Sequence, residues 1–194
     1  MKLVRRFILM VQFLTSMPVP VNLDVDVDDY GKGLVFAPLV GFIMGAVLAG
    51  AMYILNLVFP VKVTAVFIVI IYILLSGGLH LDGLGDTFDG LFSNRSREKI
   101  LEIMRDSRVG TNAVLAIAGV LILNTALLSN MDSSLIYTAV MLFPAAGRIG
   151  SLIGSGVSTY ARTGEGLGKS FIDYCGWKEI AAGLALSYVI FYLA

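Results

Sequence analysis

The stretch SGGLHLDGLGDTFDGL, from Ser76 to Leu91, follows directly on an apolar run and carries three aspartates. The run, Val61–Leu79, is long enough to enter a membrane, because about 20 apolar residues cross a hydrocarbon core of roughly 30 Å. Asp82, Asp86 and Asp89 are spaced by four and three residues, which places their carboxylates on one face of a helix. The stretch therefore predicts an acidic cluster at the end of a membrane-spanning helix.

The composition excludes an ordinary soluble domain. The 194 residues are 57% hydrophobic and 14% charged, with a mean hydropathy of +0.86, whereas about 25% of the residues in soluble domains are charged. The formal net charge is zero, so no basic field attracts nucleic acid and we expect no nucleic-acid partner. The single cysteine, Cys175, excludes an internal disulfide, and the single histidine, His80, excludes a multi-histidine zinc site within one chain.

Five apolar runs organise the chain, and they predict an all-α, polytopic integral membrane bundle of about five to six helices. Four of the runs are long enough to span a membrane, and the last is short for a span. The runs are Leu34–Phe59, Val61–Leu79, Val109–Asn130, Ser133–Gly156 and Ile180–Ala194. We expect them to form a single integral membrane domain over residues 1–194.

The N-terminal sequence MKLVRRFILMVQFLTSMPVP superficially resembles a signal peptide, since basic residues precede an apolar stretch. Gln12 interrupts that stretch, however, and no small-residue cleavage site follows it. We therefore predict an amphipathic or interfacial helix that ends near Pro18.

The charged residues predict which end of the bundle faces the cytoplasm. If the spans alternate, one side holds the N-terminus, the 80–108 segment and the 148–179 segment, with 13 of the 14 basic residues and 13 of the 14 acidic residues. Lys62 and Asp132 are alone on the other side. Because loops rich in Lys and Arg stay in the cytoplasm, we predict a cytoplasmic (plasma) membrane protein whose N-terminus and functional site face the cytoplasm.

The acidic cluster is followed by basic residues that suit phosphate groups. Three carboxylates at a span end repel one another unless a cation lies among them, and Mg²⁺ holding a phosphate or diphosphate is the natural candidate. Arg105, Asp106 and Arg108 follow further along the chain, just before the next span. Arginine binds phosphate oxygens through two parallel hydrogen bonds. A clamp of metal and arginine suits phosphoryl transfer. The alternative is a solvated loop whose charges neutralise one another.

Two segments resemble ligand-binding motifs but favour other interpretations. The sequence TGEGLGKS, over residues 163–170, departs from a P-loop at Thr163, and no βαβ pattern surrounds it. The acidic run over residues 24–29 alternates with valines, and it predicts a solvated segment rather than a calcium loop. His80 lies on the helix face opposite Asp82, and its roles as a satisfied interfacial histidine and as a proton donor stay equally open.

Small residues recur at spacings of four in two of the apolar runs. Such rows let helices approach closely in membranes, so we predict helix–helix contacts at both of them. The rows are Gly41–Gly45–Ala49 and Ala146–Gly150–Gly154.

The stretch GGLHLDGLGDTFDGLFS, followed by ILEIMRDSRVGTNAVLA, closely resembles the cobalamin synthase family, also called adenosylcobinamide-GDP ribazoletransferases. FLTSMPVP near the start, PLVGFIMG in the first span and YARTGEGLG at 160–168 resemble the same family, in the right order. The resemblance implies a Mg²⁺-dependent integral membrane transferase of vitamin B12 biosynthesis. Its reaction joins adenosylcobinamide-GDP to α-ribazole, or α-ribazole 5′-phosphate, and gives adenosylcobalamin, or its 5′-phosphate, and GMP.

With that resemblance in view, we assign roles to nine side chains as hypotheses. The predicted catalytic residues are Asp82, Asp106, Arg105 and Arg108. The predicted Mg²⁺ ligands are Asp82, Asp86 and Asp89. The weaker, substrate-binding candidates are His80, Arg148 and Arg162. Among these, Asp106 would complete the metal site or act as a base, and Arg105 and Arg108 would neutralise the diphosphate.

The resemblance carries further expectations about the ends of the chain and its partners. Relatives usually finish with a glycine-rich GGxTGDxxGA-like segment that carries another aspartate, and residues 1–194 lack it. Because a corrinoid is large for so few helices, we expect a homo-oligomer in the lipid membrane. Other corrinoid-assembly enzymes are further expected partners.

Three alternative functions compete with the transferase. A Mg²⁺-dependent membrane prenyltransferase also uses aspartate clusters on diphosphates, but such clusters usually occur twice, on separated helices. A cation transporter, which is not an enzyme, would carry its carboxylates near the middle of the spans. A scaffold that holds other corrinoid enzymes at the membrane would bind corrinoid without turning it over.

Overall fold

The computed structural model describes residues 2–194, which form helices and connecting loops without a strand in that range. A 3₁₀ turn over Leu34–Phe36 joins the second helix to the third. The α-helices are α1 (Lys2–Leu14), α2 (Val27–Gly33), α3 (Ala37–Asn56), α4 (Val61–Ser76), α5 (Leu79–Leu91), α6 (Arg97–Ile103), α7 (Thr111–Asn130), α8 (Ile136–Val157), α9 (Leu167–Asp173) and α10 (Trp177–Leu193).

The long helices confirm the predicted all-α membrane bundle. Three segments are long and apolar enough to cross a membrane: Val27–Asn56, Thr111–Asn130 and Ile136–Val157. A fourth span is present if α4 and α5 are counted together, although these two helices are bent by 90° relative to each other. The short helices α2 and α9 were not anticipated from the sequence, because neither carries a long apolar run. A helix was predicted for the aspartates of α5, but as the end of the preceding span.

A right-angle turn between α4 and α5 corrects the predicted span Val61–Leu79. The helix ends at Ser76 because Gly77 and Gly78 both adopt left-handed backbone conformations, with φ of 61° and 73°. Residues with a side chain rarely adopt such angles, whereas glycine does so at no steric cost. Two consecutive left-handed residues redirect the chain, so the aspartates lie on a separate helix that crosses the end of α4.

Hydrogen bonds show which segments share each end of the bundle. The Ser16 amide donates to the Leu75 carbonyl at 2.8 Å, and the Arg97 guanidinium donates to the Ala161 carbonyl at 3.0 Å. At the opposite end, the Asn56 side-chain amide donates to the Tyr137 hydroxyl at 3.1 Å. The long helices therefore alternate in direction. The N-terminal segment, α5, α6 and the 158–166 loop meet at one end, which we call the α5 end.

The first row of small residues packs α3 closely against α8. A Cβ atom at Gly41 would lie 2.6 Å from the Pro144 carbonyl oxygen, which is closer than real Cβ atoms approach. The second row does not behave as predicted. At Gly150 and Gly154 a Cβ atom would meet no heavy atom of the described residues within 4 Å. That row faces away from the other helices, so the prediction of close packing is wrong for it.

The N-terminal segment consists of helix α1 and the irregular residues 15–26, which run back along that helix and which we call the strap. Helix α1 ends at Leu14 rather than near Pro18, and Leu9, Met10 and Leu14 are buried. Gln12, which interrupts the apolar stretch, donates its side-chain amide to two carbonyls of the strap, at 3.0 and 2.8 Å. The interruption therefore holds the strap against the helix, which explains a polar residue in that position.

The acidic run corrects another expectation, since one of its members is buried. Asp29 is 0% exposed and accepts a hydrogen bond from the Arg6 Nε at 2.8 Å. Arg5 also pairs with Asp29, and Lys32 pairs with Asp28 at 2.6 Å. The expected solvation holds for Asp24 and Asp26, which are exposed, but Asp26, Asp28 and Asp29 form the acidic half of an ion-pair network that ties α1 to α2.

Candidate active site

A cavity of about 270 Å³ lies between α5, α7 and the loop that connects α6 to α7. We call it the carboxylate pocket. Six of the nine predicted site residues line it: Asp82, Asp86, Asp89, Arg105, Asp106 and Arg108. The structure therefore brings the acidic cluster and the downstream arginines to one place at the α5 end. Met104 and Ser107 also line the pocket, and no sequence signal marked them.

Two glycines let α5 approach its neighbours closely enough to form this pocket. A Cβ atom at Gly85 would lie 3.2 Å from side-chain carbons of Ala113 and Ile117 on α7. A Cβ atom at Gly90 would lie 2.7 Å from the Met104 side chain, just after α6. Both glycines therefore serve close packing of α5 against its neighbours.

Asp89 caps the N-terminus of α7. The Gly110 amide donates to one Asp89 carboxylate oxygen at 2.6 Å, and the Ala113 amide donates to the other at 2.9 Å. The first amides of a helix have no partner within it, and a carboxylate there also complements the helix dipole. Because both of its oxygens are engaged, Asp89 differs from Asp82 and Asp86, whose side chains accept no hydrogen bond from the described residues.

We expect Asp89→Ala to lower the free energy of unfolding by about 1–2 kcal/mol, because it removes the acceptor for two α7 amides. Asp89→Asn keeps one acceptor oxygen and should cost less. Thermal unfolding of the purified variants in detergent measures the difference. If Asp89→Ala unfolds at the wild-type temperature, the capping role is wrong.

Asp106 and Arg108 form an ion pair on the other wall of the pocket. The Arg108 Nε lies 3.0 Å from both Asp106 oxygens, and the Arg108 amide donates to one of them at 3.1 Å. These hydrogen bonds lower the pKa of the Asp106 carboxyl to about 2. A carboxylate with that pKa is ionised at neutral pH and is a weak base. The observed pairing therefore favours Asp106 as the residue that orients Arg108.

The arginines of this region remain accessible to a ligand. The Arg108 side chain is 87% exposed although it pairs with Asp106, and Arg105 is exposed on the pocket wall without an ion pair to the described residues. Arg162 does not line the pocket, but it lies within electrostatic range of Asp86. Its loop is held beside α6 by the Arg97 hydrogen bond to Ala161. Arg162 therefore belongs to the rim of the site.

The structure places His80 and Arg148 away from the carboxylate pocket. Arg148 is 1% exposed inside the bundle, where its guanidinium donates to the Tyr72 hydroxyl at 2.7 Å. Its Nε has no hydrogen-bond partner among the described residues. His80 lines a different cavity, between α4, α5, α7 and α8. Tyr72, which sequence reasoning missed, was signalled only as a hydroxyl within an otherwise apolar run.

The structure gives no support to a P-loop or to a reactive cysteine. The Thr163–Ser170 segment is a loop up to Gly166 and the start of α9 from Leu167, without a strand among the described residues. Cys175 is buried, with its sulfur 3.7 Å from the Leu152 carbonyl oxygen. Burial raises the pKa of the Cys175 thiol to about 11, so it is a packing residue rather than a nucleophile.

The fold and pocket define a helical membrane protein with a site of aspartates and arginines at one end of its bundle. A family model described as cobalamin-5-phosphate synthase matches residues 6–194, and the chain belongs to this family. The resemblance noted in the sequence is thereby confirmed.

Three relatives bear the name adenosylcobinamide-GDP ribazoletransferase. A protein of Acetivibrio thermocellus is 60% identical over 190 residues, which cover 98% of this chain and 77% of the relative. A protein of Clostridium acetobutylicum is 55% identical, with 96% of this chain and 74% of the relative covered. A protein of Alkaliphilus metalliredigens is 41% identical, with 95% and 73% covered. No solved structure matches the chain.

Proposed function

We propose that this protein is an adenosylcobinamide-GDP ribazoletransferase, which completes the nucleotide loop of cobalamin in the membrane. The membership of the family and the names of the relatives support this function. The observation that carries it in the structure is the carboxylate pocket, which gathers aspartates and arginines from two separate segments in one cavity. A diphosphate substrate needs this combination of groups.

In the reaction, α-ribazole replaces GMP on the phosphorus that carries cobinamide. A ribose hydroxyl oxygen of α-ribazole, or of its 5′-phosphate, forms a bond to the phosphorus that carries cobinamide. The bond between that phosphorus and the bridging oxygen breaks, and GMP leaves with the bridging oxygen. The hydroxyl proton passes to a base. The products are adenosylcobalamin, or its 5′-phosphate, and GMP.

The pocket fits a magnesium ion, although not through all three predicted ligands. The carboxylate oxygens of Asp82, Asp86 and Asp89 do not all lie within 4.8 Å of one another, and both oxygens of Asp89 already accept hydrogen bonds from α7 amides. Mg²⁺ is usually held by one or two carboxylates together with substrate phosphates, so Asp82 and Asp86 would hold it. When bound, Mg²⁺ offsets the negative charge of the diphosphate and polarises its phosphorus–oxygen bonds.

The remaining side chains would each take part in binding or proton transfer. Arg105 and Arg108 bind the diphosphate oxygens, with Arg108 held in place by Asp106. Asp82 or Asp86 accepts the hydroxyl proton, because the ion pair with Arg108 makes Asp106 a poor base. Arg162 adds positive charge at the rim of the pocket.

The competing functions lack the features that they require. Helices α3, α4, α7 and α8 contain no aspartate or glutamate, so a transport pathway through carboxylates in mid-span has no basis in them. A prenyltransferase would use a second acidic cluster. In the described part of the chain, the other acidic cluster, Asp26, Asp28 and Asp29, is engaged with Arg5, Arg6 and Lys32.

The orientation and partners of the protein are part of the same proposal. The α5 end faces the cytoplasm, which the asymmetry of basic residues supports. Of the 14 basic residues, 12 lie in the segments at that end, Arg148 is buried within α8, and Lys62 alone lies at the opposite end. The lipid membrane, adenosylcobinamide-GDP and α-ribazole or its 5′-phosphate are the partners that the function requires. A homo-oligomer and contacts with other corrinoid-assembly enzymes stay predictions.

The direct test is product formation by the purified protein in detergent or liposomes. Given adenosylcobinamide-GDP, α-ribazole and Mg²⁺, the protein should release GMP and form a new corrinoid in equal amounts. Chelation with EDTA should abolish the product, and added Mg²⁺ should restore it. Corrinoid binding without turnover would instead support the scaffold. Flux of cations in proteoliposomes without any product would support the transporter.

A further inference from the structure

A second cavity, of about 470 Å³, lies between helices beside the carboxylate pocket, and it opens to the surface of the bundle at Leu127 and Phe143, which are 54% and 38% exposed. We call it the inner cavity. It is formed by α4, α5, α7 and α8, and its walls are mainly aliphatic and aromatic side chains. Four polar side chains interrupt those walls: Tyr72, Ser76, His80 and Asn124. Its size and its few polar groups are those of a small-molecule site.

The two cavities are neighbours along both α5 and α7. On α5, Leu84 lines the inner cavity and Gly85 lines the carboxylate pocket. On α7, Ile117 lines the carboxylate pocket and Leu121 lines the inner cavity, about one helical turn further along. A ligand that occupies the inner cavity can therefore extend a polar end toward the carboxylates.

The buried Arg148 orients the Tyr72 hydroxyl so that it can donate a hydrogen bond into the inner cavity. Arg148 donates to the Tyr72 oxygen at 2.7 Å, which leaves the Tyr72 hydroxyl hydrogen free to donate to a ligand. The Arg148 guanidinium also lies 5.6 Å from the centre of the Tyr72 ring, and it is 1% exposed. Burying an arginine in a span is costly, and such residues usually serve function. Here the arginine fixes the direction of the Tyr72 hydroxyl.

The walls suit a flat aromatic ring. Tyr72 and Phe143 form an edge-to-face pair, with ring centres 5.0 Å apart and planes at 63°. Phe143 is 38% exposed, so its ring has surface left to pack against the ring of a ligand. An acyl chain would fill the aliphatic walls, but it has no group to accept from Tyr72, which would leave that donor unsatisfied.

We propose that the inner cavity binds the base of the nucleoside acceptor, a dimethylbenzimidazole, with its unsubstituted ring nitrogen accepting from Tyr72. This inference rests on the proposed function, because α-ribazole is the acceptor of that reaction. The apolar ring lies among the four helices and the ribose points past Leu84 toward the carboxylate pocket. Tyr72 and Asn124 determine specificity for the base, and Arg148 is a positioning residue that acts through Tyr72.

Filling the cavity tests the proposal, and α7 provides a matched control. Val120→Phe places a phenyl ring in the inner cavity, whereas Val114→Phe makes the same change at a side chain that is 54% exposed on the outer face of the helix. We expect Val120→Phe to raise KM for α-ribazole about tenfold or more, since loss of fit in such a pocket costs about 1–3 kcal/mol. KM for adenosylcobinamide-GDP should stay unchanged. Val114→Phe should match the wild type in both constants.

A binding measurement separates this proposal from the proposed function. Equilibrium dialysis of free dimethylbenzimidazole against the protein in detergent should show binding to the wild type and weaker binding to Val120→Phe. Base binding without turnover would support the cavity while removing the transferase function. Normal turnover with an unchanged KM for α-ribazole in Val120→Phe would overturn the cavity while leaving the function intact.

A photoreactive benzimidazole covers the case in which Val120→Phe does not fold, because it requires only the wild-type protein. Peptides labelled in α4 and α7, with labelling suppressed by excess α-ribazole, would support the proposal. Labelling confined to outer helix faces, or labelling that α-ribazole does not suppress, would overturn it.

Discussion

Asp82→Asn and Asp86→Asn should each lower turnover of adenosylcobinamide-GDP with α-ribazole by about 10²–10⁴-fold. Asparagine has nearly the shape of aspartate, so the pocket keeps its form while it loses a negative charge and a proton acceptor. Both side chains lie in the carboxylate pocket and accept no hydrogen bond from the described residues, which leaves them available for Mg²⁺ and substrate. Release of GMP and formation of the corrinoid product, at saturating Mg²⁺, measure the loss.

Asp132→Asn is the matched control for these variants. Asp132 is exposed at the opposite end of the bundle, before α8, so its neutralisation should leave turnover at the wild-type level. Near wild-type turnover of both Asp82→Asn and Asp86→Asn would show that the chemistry takes place elsewhere. A loss in all three variants would point to a general effect of charge rather than to the site.

Asp29→Ala should lower the free energy of unfolding by about 3 kcal/mol, the largest effect on stability that we expect from one side chain. The carboxylate is fully buried, and it pairs with Arg5 and Arg6 of α1. Removing the buried member of the network is costly because it leaves Arg5 and Arg6 with only the more exposed Asp26 and Asp28 as partners. For a chain of this length the loss corresponds to a melting temperature about 6–12 °C lower. Thermal unfolding in detergent measures it.

Asp24→Ala removes a carboxylate from the same acidic run and serves as the control. Its side chain is exposed, and only its backbone carbonyl contacts Arg5. We expect Asp24→Ala to melt within about 1–2 °C of the wild type, as surface substitutions usually do. Equal melting temperatures for the two variants would show that the ion-pair network between α1 and α2 does not stabilise the protein.

Sequence patterns predicted which charged residues belong to the site, but not how each of them is engaged. The spacing of Asp82 and Asp86, and the arginines that follow them, were sufficient to predict the carboxylate pocket. The role of Asp89 was not accessible in this way. Its partner Gly110 lies 21 residues further along, and their contact exists only because Gly85 lets α5 approach α7.

The sequence also did not show which face of each spanning helix packs against its neighbours and which faces outward. An apolar span shows little contrast between its faces, so nothing in the pattern distinguished the row at Gly41, which packs against α8, from the row at Gly150, which faces outward. The same holds for Arg148. It was a candidate for substrate binding, and only the packing of α3, α4 and α8 reveals that it is enclosed beside Tyr72.

The right-angle turn at Gly77 and Gly78 sets the depth of the acidic side chains in the bilayer. Spanning helices run close to the membrane normal, so a helix at 90° to α4 runs close to the membrane plane. Had α4 continued straight through the aspartates, Asp82 and Asp89 would differ in depth by about 10 Å. Because α5 turns aside, its carboxylates lie at nearly one level. The two substrates of the reaction can then meet these charges side by side at one face of the membrane.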